Sequence, residues 1–337
     1  MKILKLTFAA VAALLLTSCL TKVVLSTVLV DKKTVNVRAY GDAVVLNVKC
    51  AVSVKASTSD SWIHLSATSF GTNLGDGYDL VITTDAATAG SATVGNVRIS
   101  IDSESYTDVK IEREARSDDE VYDAERNRYS VRKIGSYYWI CDNIKSSKYD
   151  TRSEAYGLSL TEIENESGYT GRSYMDPSKV SALGTMSNYK ERMGYLYNWV
   201  GAMGLTVSEG ESVTSGEYGG KKRQGICPNG FHIPTKAEYE NLESVSTGAK
   251  LKSDKGWSES VGNGTNALYF NGYPCGMYIS GVYMSVGMRT SYWASTSRSA
   301  ELKYCMGIPQ INTTDAIAIE TGYLEKEGQS VRCVRNN

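Results

Sequence analysis

Histidine, cysteine and clustered carboxylates are the residues that most often carry catalysis or hold a metal, and the chain is sparing with the first. Its 337 residues include two histidines, His64 and His232. That nearly excludes a histidine-based metal site and leaves little for a nucleophile–histidine relay. Seven cysteines are present, none in a Cys-x-x-Cys pair, and neither a P-loop nor a dinucleotide fingerprint occurs. Zinc, nucleotide and redox-cofactor chemistry therefore have no foothold, and no cofactor is expected. Asp76-Gly-Tyr-Asp79 reads as a β-turn, because a calcium loop needs about six or more oxygen ligands. Net charge is −1, and Lys221-Lys222-Arg223 is the densest basic run. Nucleic acid, which needs a concentrated basic face against its phosphates, is not an expected partner.

The N-terminus carries chemistry of another kind. Lys2 and Lys5 precede the apolar run Phe8–Leu16, which closes on Leu16-Thr17-Ser18-Cys19. The run is far short of the roughly 20 residues a bilayer span needs, and its basic start and small-residue end make residues 1–19 an export signal. The ending resembles the bacterial lipobox, which implies that Cys19 receives a lipid and becomes the membrane anchor. The alternative is an ordinary signal whose cysteine is incidental. With Cys19 set aside, Cys50 stands alone in the first half, while Cys141, Cys227, Cys275, Cys305 and Cys333 occupy the second. Five is odd. Unless the halves are cross-linked, at least one thiol in each stays unpaired, and small buried cysteine is a common core residue. An oxidising compartment permits disulfides without requiring them.

The elements that must position these residues change character along the chain. Residues 24–115 read as short strands of period two, among them Val44–Cys50, Tyr78–Thr83 and Val97–Ile101, separated by Gly, Asp and Ser clusters. This predicts an all-β sandwich. Ser59-Asp-Ser-Trp-Ile-His-Leu-Ser66, Gly75–Leu80 and Ala92–Ile101 resemble the Bacteroidetes-associated carbohydrate-binding often N-terminal (BACON) domain, which implies an immunoglobulin-like sandwich. Trp62 is read as core rather than as a sugar platform. Residues 116–127 are dense in charge and are expected to be a linker. After residue 116 lie 20 of the 23 tyrosines and four of the five tryptophans. Pro234–Ser244 is the best helix, with Thr235 and Glu238 spaced as a capping box.

Residues 121–337 carry six motifs in order: Tyr129–Ile144, Gly194-Tyr-Leu-Tyr-Asn-Trp199, Gly225–Glu240, Gly272-Tyr-Pro-Cys-Gly276, Tyr292-Trp-Ala-Ser-Thr296 and Ser330-Val-Arg-Cys-Val-Arg335. Together they resemble the Fibrobacter succinogenes major paralogous domain, which implies an α+β, C-type lectin-like fold. Cys227 and Cys333 belong to those motifs and are the implied disulfide. Cys141 and Cys275 stand where the family often has small residues, so they are expected to be buried thiols, and Cys305 is read the same way. His232, inside its motif, is assigned a structural bond to loop backbone. Calcium ligands of the C-type lectin kind are missing after Tyr292-Trp293, so glycan recognition would be calcium-independent. Gly230–Glu240 is also similar to formylglycine-generating enzymes, which require a close pair of reactive cysteines.

These readings lead to one expected function: a non-enzymatic lipoprotein anchored to the outer membrane, extracytoplasmic, facing either the cell surface or the periplasm. It would bind a glycan or protein, as an adhesin does, through loops of the C-terminal domain. The expected surface lies between Trp257 and Trp293 and centres on Tyr278, Tyr283 and Arg289, with Tyr273, Tyr292 and Trp257 beside them, since Tyr and Arg often carry binding energy. Two alternatives are a structural or tip subunit of a surface assembly such as a fimbria and, remotely, a formylglycine-generating-like enzyme.

Overall fold

Alternation of apolar and polar residues builds the first part of the molecule, because successive strand side chains point to opposite faces. In the computed structural model, Val28–Val30, Asp42–Cys50, Asn73–Thr84 and Ile63–Leu65 form one sheet, in that spatial order. Thr34–Val37, Tyr106–Arg113, Thr93–Ser100, Val54–Ser57 and Ser69–Phe70 form a second. Both sheets feed one core: Leu46, Val48, Leu80 and Ile82 from the first meet Val97, Ile99, Val109 and Ile111 from the second. Trp62 is half-buried against this core, with the Arg113 guanidinium 4.1 Å above its ring. Gly95 leaves room for it, since a Cβ there would lie 2.7 Å from the indole. The structure describes residues 28–88, 90–163, 171–179, 192–308, 317–324 and 326–336. Cys19 lies outside the described residues.

The chain divides into two units, Met1–Arg116 and Ser117–Asn337. The second contains a five-stranded sheet of Glu120–Tyr122, Arg128–Ile134, Tyr137–Ile140, Val334–Arg335 and Phe231–His232. Two three-stranded sheets accompany it: Thr290–Ser297 with Leu302–Ile308 and Ala318–Leu324, and Thr161–Glu162 with Ser173–Met175 and Leu196–Tyr197. A small hairpin, Met277–Ile279 with Val282–Met284, completes the set. Helix is scarce here, the longest described one being Lys236–Val245. The chain is thus a mostly β protein with several sheets.

Residues 116–127 do more than link. Glu120–Tyr122 pairs with Arg128–Ile134, burying Val121. The charges that suggest a solvated linker are instead matched across strands, Glu120 with Arg128, Asp119 with Arg132 and Asp118 with Arg335.

The helix Lys236–Val245 forms behind the expected capping box, with reciprocal bonds between Thr235 and Glu238. It buries Tyr239 and Leu242, and Tyr239 packs on Trp139 with ring centroids 5.5 Å apart. Two buried indoles tie the strand Thr290–Ser297 to the short helix Trp199–Met203 and to the strand Leu196–Tyr197: Trp199 donates to the Ala294 carbonyl and Trp293 to the Tyr197 carbonyl. Cys227 and Cys333 form a disulfide, which ties the last strand to the start of the Phe231–His232 strand. Cys50, Cys141, Cys275 and Cys305 are free and buried. Burial pushes the thiols of Cys141 and Cys275 up to about 12, which removes the thiolate that reactivity requires. No helix among the described residues is long and apolar enough to cross a membrane.

Candidate functional site

The site begins where two neighbouring strands of the five-stranded sheet end. Arg128, Tyr129 and Ser130 open one, and Asp142, Asn143 and Lys145 follow the other. Together with Asn127, Arg192 and Asn271 they line a cleft of about 370 Å³. Its size lies at the lower end of the range for small-molecule sites, about 300–1,000 Å³.

Asp142 sits among donors. One carboxylate oxygen accepts from the Ser130 amide at 2.8 Å and the Ser130 hydroxyl at 2.6 Å, and the other from the Asn271 side chain at 3.4 Å. Asn271 is itself clamped, exchanging two bonds with Asn266 while its carbonyl accepts from Arg332. Below the cleft, Asp123 accepts from the Asn127 backbone and side chain and from the Tyr129 hydroxyl at 2.7 Å. The same hydroxyl accepts from the Lys145 amide. Burial holds the Asp123 carboxyl above its usual range even though these donors pull it down. Burial also drives the Tyr129 phenol well up, so it remains a neutral donor.

Asn143 is buried, and its amide nitrogen donates to the Met193 carbonyl at 2.8 Å and contacts Cys275 Sγ at 3.1 Å. Its oxygen accepts no hydrogen bond among the described residues. Such an orphan acceptor is uncommon in native interiors and calls for an explanation, a ligand or water included. Gly194 shapes this wall. Its φ is +66°, and a Cβ there would lie 2.6 Å from Asn143 Cβ. Arg192 stands beside Tyr273, whose phenol burial raises while the guanidinium partly offsets the rise.

The cleft thus presents amide and cationic donors alongside carboxylate and amide acceptors. Each sugar hydroxyl is at once donor and acceptor, so such a lining suits saccharide hydroxyls. Among the described residues no group of three or more His, Cys, Asp or Glu side chains is placed to hold a metal.

The residues expected to bind are mostly elsewhere and mostly hidden. Trp257, Tyr273, Tyr278 and Tyr292 are buried. Trp257 donates to the Gly272 carbonyl, Tyr292 packs edge-on to Phe270, and Tyr278 packs edge-on to half-buried Tyr283 at 5.2 Å. Arg289, also half-buried, donates to the Tyr323 hydroxyl. The expected surface is therefore largely core: the glycine-punctuated loop folds its aromatic rings inward, where they replace the apolar side chains that its short strands lack. His232 also differs in detail. Its ring bonds side chains, Glu238 and Asn336, rather than loop backbone. Lys222 and Arg223 are likewise engaged, with Glu238 and with the carbonyls of Met203 and Gly204.

The cleft residues were overlooked in sequence. The available signal was Asp142-Asn143, two polar residues directly after the apolar Tyr-Trp-Ile-Cys stretch, and Asn271, just before Gly272.

Fold and cleft define a class: a two-unit, mostly β protein whose second unit carries a polar cleft at the ends of a sheet. The chain belongs to the Fibrobacter succinogenes major domain family, whose profile matches residues 133–335. No curated protein matches it. Among solved structures it is similar to a Bacteroides ovatus GH5 xyloglucanase in complex with an XXXG heptasaccharide, at 18% identity over 33% of this chain and 24% of that one, TM-score 0.24. It is also similar to the PapD-like domain 7 of human CEP192, at 10% identity over 27% of this chain and 87% of that one, TM-score 0.22. The E. coli chaperone DraB matches at 9% identity over 34% of this chain and 66% of that one, TM-score 0.24. The chain spans about a quarter of the length of the xyloglucanase it matches.

Proposed function

We propose that this is a non-enzymatic lipoprotein of the bacterial envelope that binds a glycan in the Asp142 cleft of its C-terminal domain. In this reading Cys19 carries the lipid and holds the protein at the outer membrane. The first unit is a BACON-like, immunoglobulin-like sandwich acting as a spacer, and the second is C-type lectin-like. The observation that supports glycan binding most is the cleft's mixture of donors and acceptors, with the Asn143 oxygen left without a hydrogen (Asp142, Asn143, Asn271). Recognition would be calcium-independent, through amides, a carboxylate and basic side chains.

A glycan array probed with the detergent-solubilised full chain tests the proposal. Retention of a glycan by the wild type, lost in Asp142→Asn at an unchanged melting temperature, supports it. Retention of no glycan rejects it. The anchor is tested apart: Cys19→Ala should release the protein into the soluble fraction on lysis, and continued membrane association without detergent counts against lipidation.

A further inference from the structure

We propose that the sugar taken by the Asp142 cleft is an acidic one, a saccharide bearing a carboxylate that Arg192 and Lys145 receive. The inference rests on the glycan reading of the cleft and adds the charge of its ligand. Three basic side chains, Arg128, Lys145 and Arg192, line the cleft with one carboxylate, Asp142. Arg128 is already matched by Glu120, at 2.5 Å. Asp142 accepts from Ser130 and Asn271, so its oxygens are occupied by neutral donors. Among the described residues neither Lys145 nor Arg192 has an ion-pair partner, so the cleft keeps a surplus of positive charge.

Such a surplus disfavours an empty or neutral occupant and favours an anion. A hydrogen bond to an ionised partner is roughly twice as strong as a neutral one. The guanidinium presents paired N–H groups that match the two oxygens of a carboxylate, whereas the ammonium acts as a point charge. Tyr273 stands beside Arg192 and limits where that guanidinium can lie. The side chains of Asn127 and Asn271 are already engaged with Asp123, Lys145, Asp142 and Asn266, so the Asn143 oxygen is the amide acceptor left to a ring hydroxyl. Division of labour follows: the cations select the charge, and the Asn143 acceptor helps to orient the sugar.

Isothermal titration of the full chain in detergent with digalacturonate, galactobiose and acetate, at low and high salt, separates the possibilities. We expect digalacturonate to bind about tenfold tighter than galactobiose, and the ratio to shrink towards one in the double variant Lys145→Gln, Arg192→Gln and at high salt. Equal affinity for both disaccharides, or an acid preference that survives the double variant, overturns the acidic-sugar proposal while leaving the glycan reading standing. Acetate binding as tightly as digalacturonate overturns it in favour of a simple anion site. Binding of neither disaccharide overturns the acidic-sugar proposal, and the glycan array separately decides the glycan reading.

Discussion

The Nη2 atom of Arg332 donates to the carbonyl oxygen of Asn271 at 2.9 Å, across 61 residues of sequence. Arg332 is fully buried. Its other terminal nitrogen donates to the Phe270 carbonyl at 2.7 Å, and its guanidinium lies 4.3 Å from the Phe270 ring centre and 5.0 Å from that of Tyr292. A charged side chain from the final motif thus pins the loop that delivers Asn271 to Asp142. Backbone carbonyls and ring faces together replace the water this cation gave up.

Arg332→Met should therefore loosen the cleft as well as the core. It keeps the volume but strips the donors from buried carbonyls, at a cost of about 2–4 kcal/mol. Denaturant unfolding measures that loss, and glycan affinity should fall with it because Asn271 is no longer held.

Gly194→Ala is the smallest change expected to reach the site. The added methyl meets Asn143 and the Ile144 carbonyl, at a backbone φ that L side chains rarely adopt. We expect a cost of more than 1 kcal/mol and a displaced Asn143, visible as weaker ligand binding at temperatures where the variant is still folded.

Tyr278→Ala gives the opposite separation. The ring is buried against Tyr283, so its truncation should destabilise by about 3 kcal/mol, read as a lower melting temperature. Ligand affinity of the folded variant should be unchanged. A wild-type melting temperature with lost binding would return the site to the hairpin.

Acid should weaken the fold through Glu238. Burial, the largest single influence, raises this carboxyl, but the His232 ring, the Lys222 ammonium and the Thr235 amide together outweigh it and leave it at about 2. A carboxyl depressed in the folded state stabilises above its unfolded value, near 4.3, and loses that contribution as pH falls towards 2. The loss amounts to about 3 kcal/mol for a shift of this size. Asp123, raised by burial, works in the other direction and favours the fold as it protonates. Unfolding curves between pH 5 and pH 2 should steepen this loss in the wild type and show less of it in Glu238→Gln.

Reduction should cost the second unit more than any single contact. Cys227 and Cys333 close a loop with a sequence separation of 106, worth up to about 4–5 kcal/mol in the chain-entropy account. Native protein should resist alkylation at Cys50, Cys141, Cys275 and Cys305, which are all buried. After denaturation without reductant, these four should label while Cys227 and Cys333 do not.

Local features were legible without the fold. Period-two alternation marked the strands around Leu46, Leu80 and Val97 because a sheet side is a two-residue repeat. Thr235 and Glu238 announced a helix start because a capping box closes within one turn. The disulfide came with the motifs that Cys227 and Cys333 occupy. The inward or outward sense of the tyrosines was not legible. A tyrosine has an apolar ring and a polar tip, and Tyr292 satisfies both by burial, its hydroxyl accepting from Arg332, as readily as an exposed tyrosine does with water.

The cleft was decided by the tertiary structure alone. Asp142 and Asn143, Arg192, and Asn271 come from three distant stretches, and each is a polar or charged residue that alone means only a loop. They become one site because buried Arg332 and the crowded turn at Gly194 fix where those stretches cross. Such long-range anchoring depends on shape and direction in three dimensions, which neither residue type nor spacing along the chain encodes.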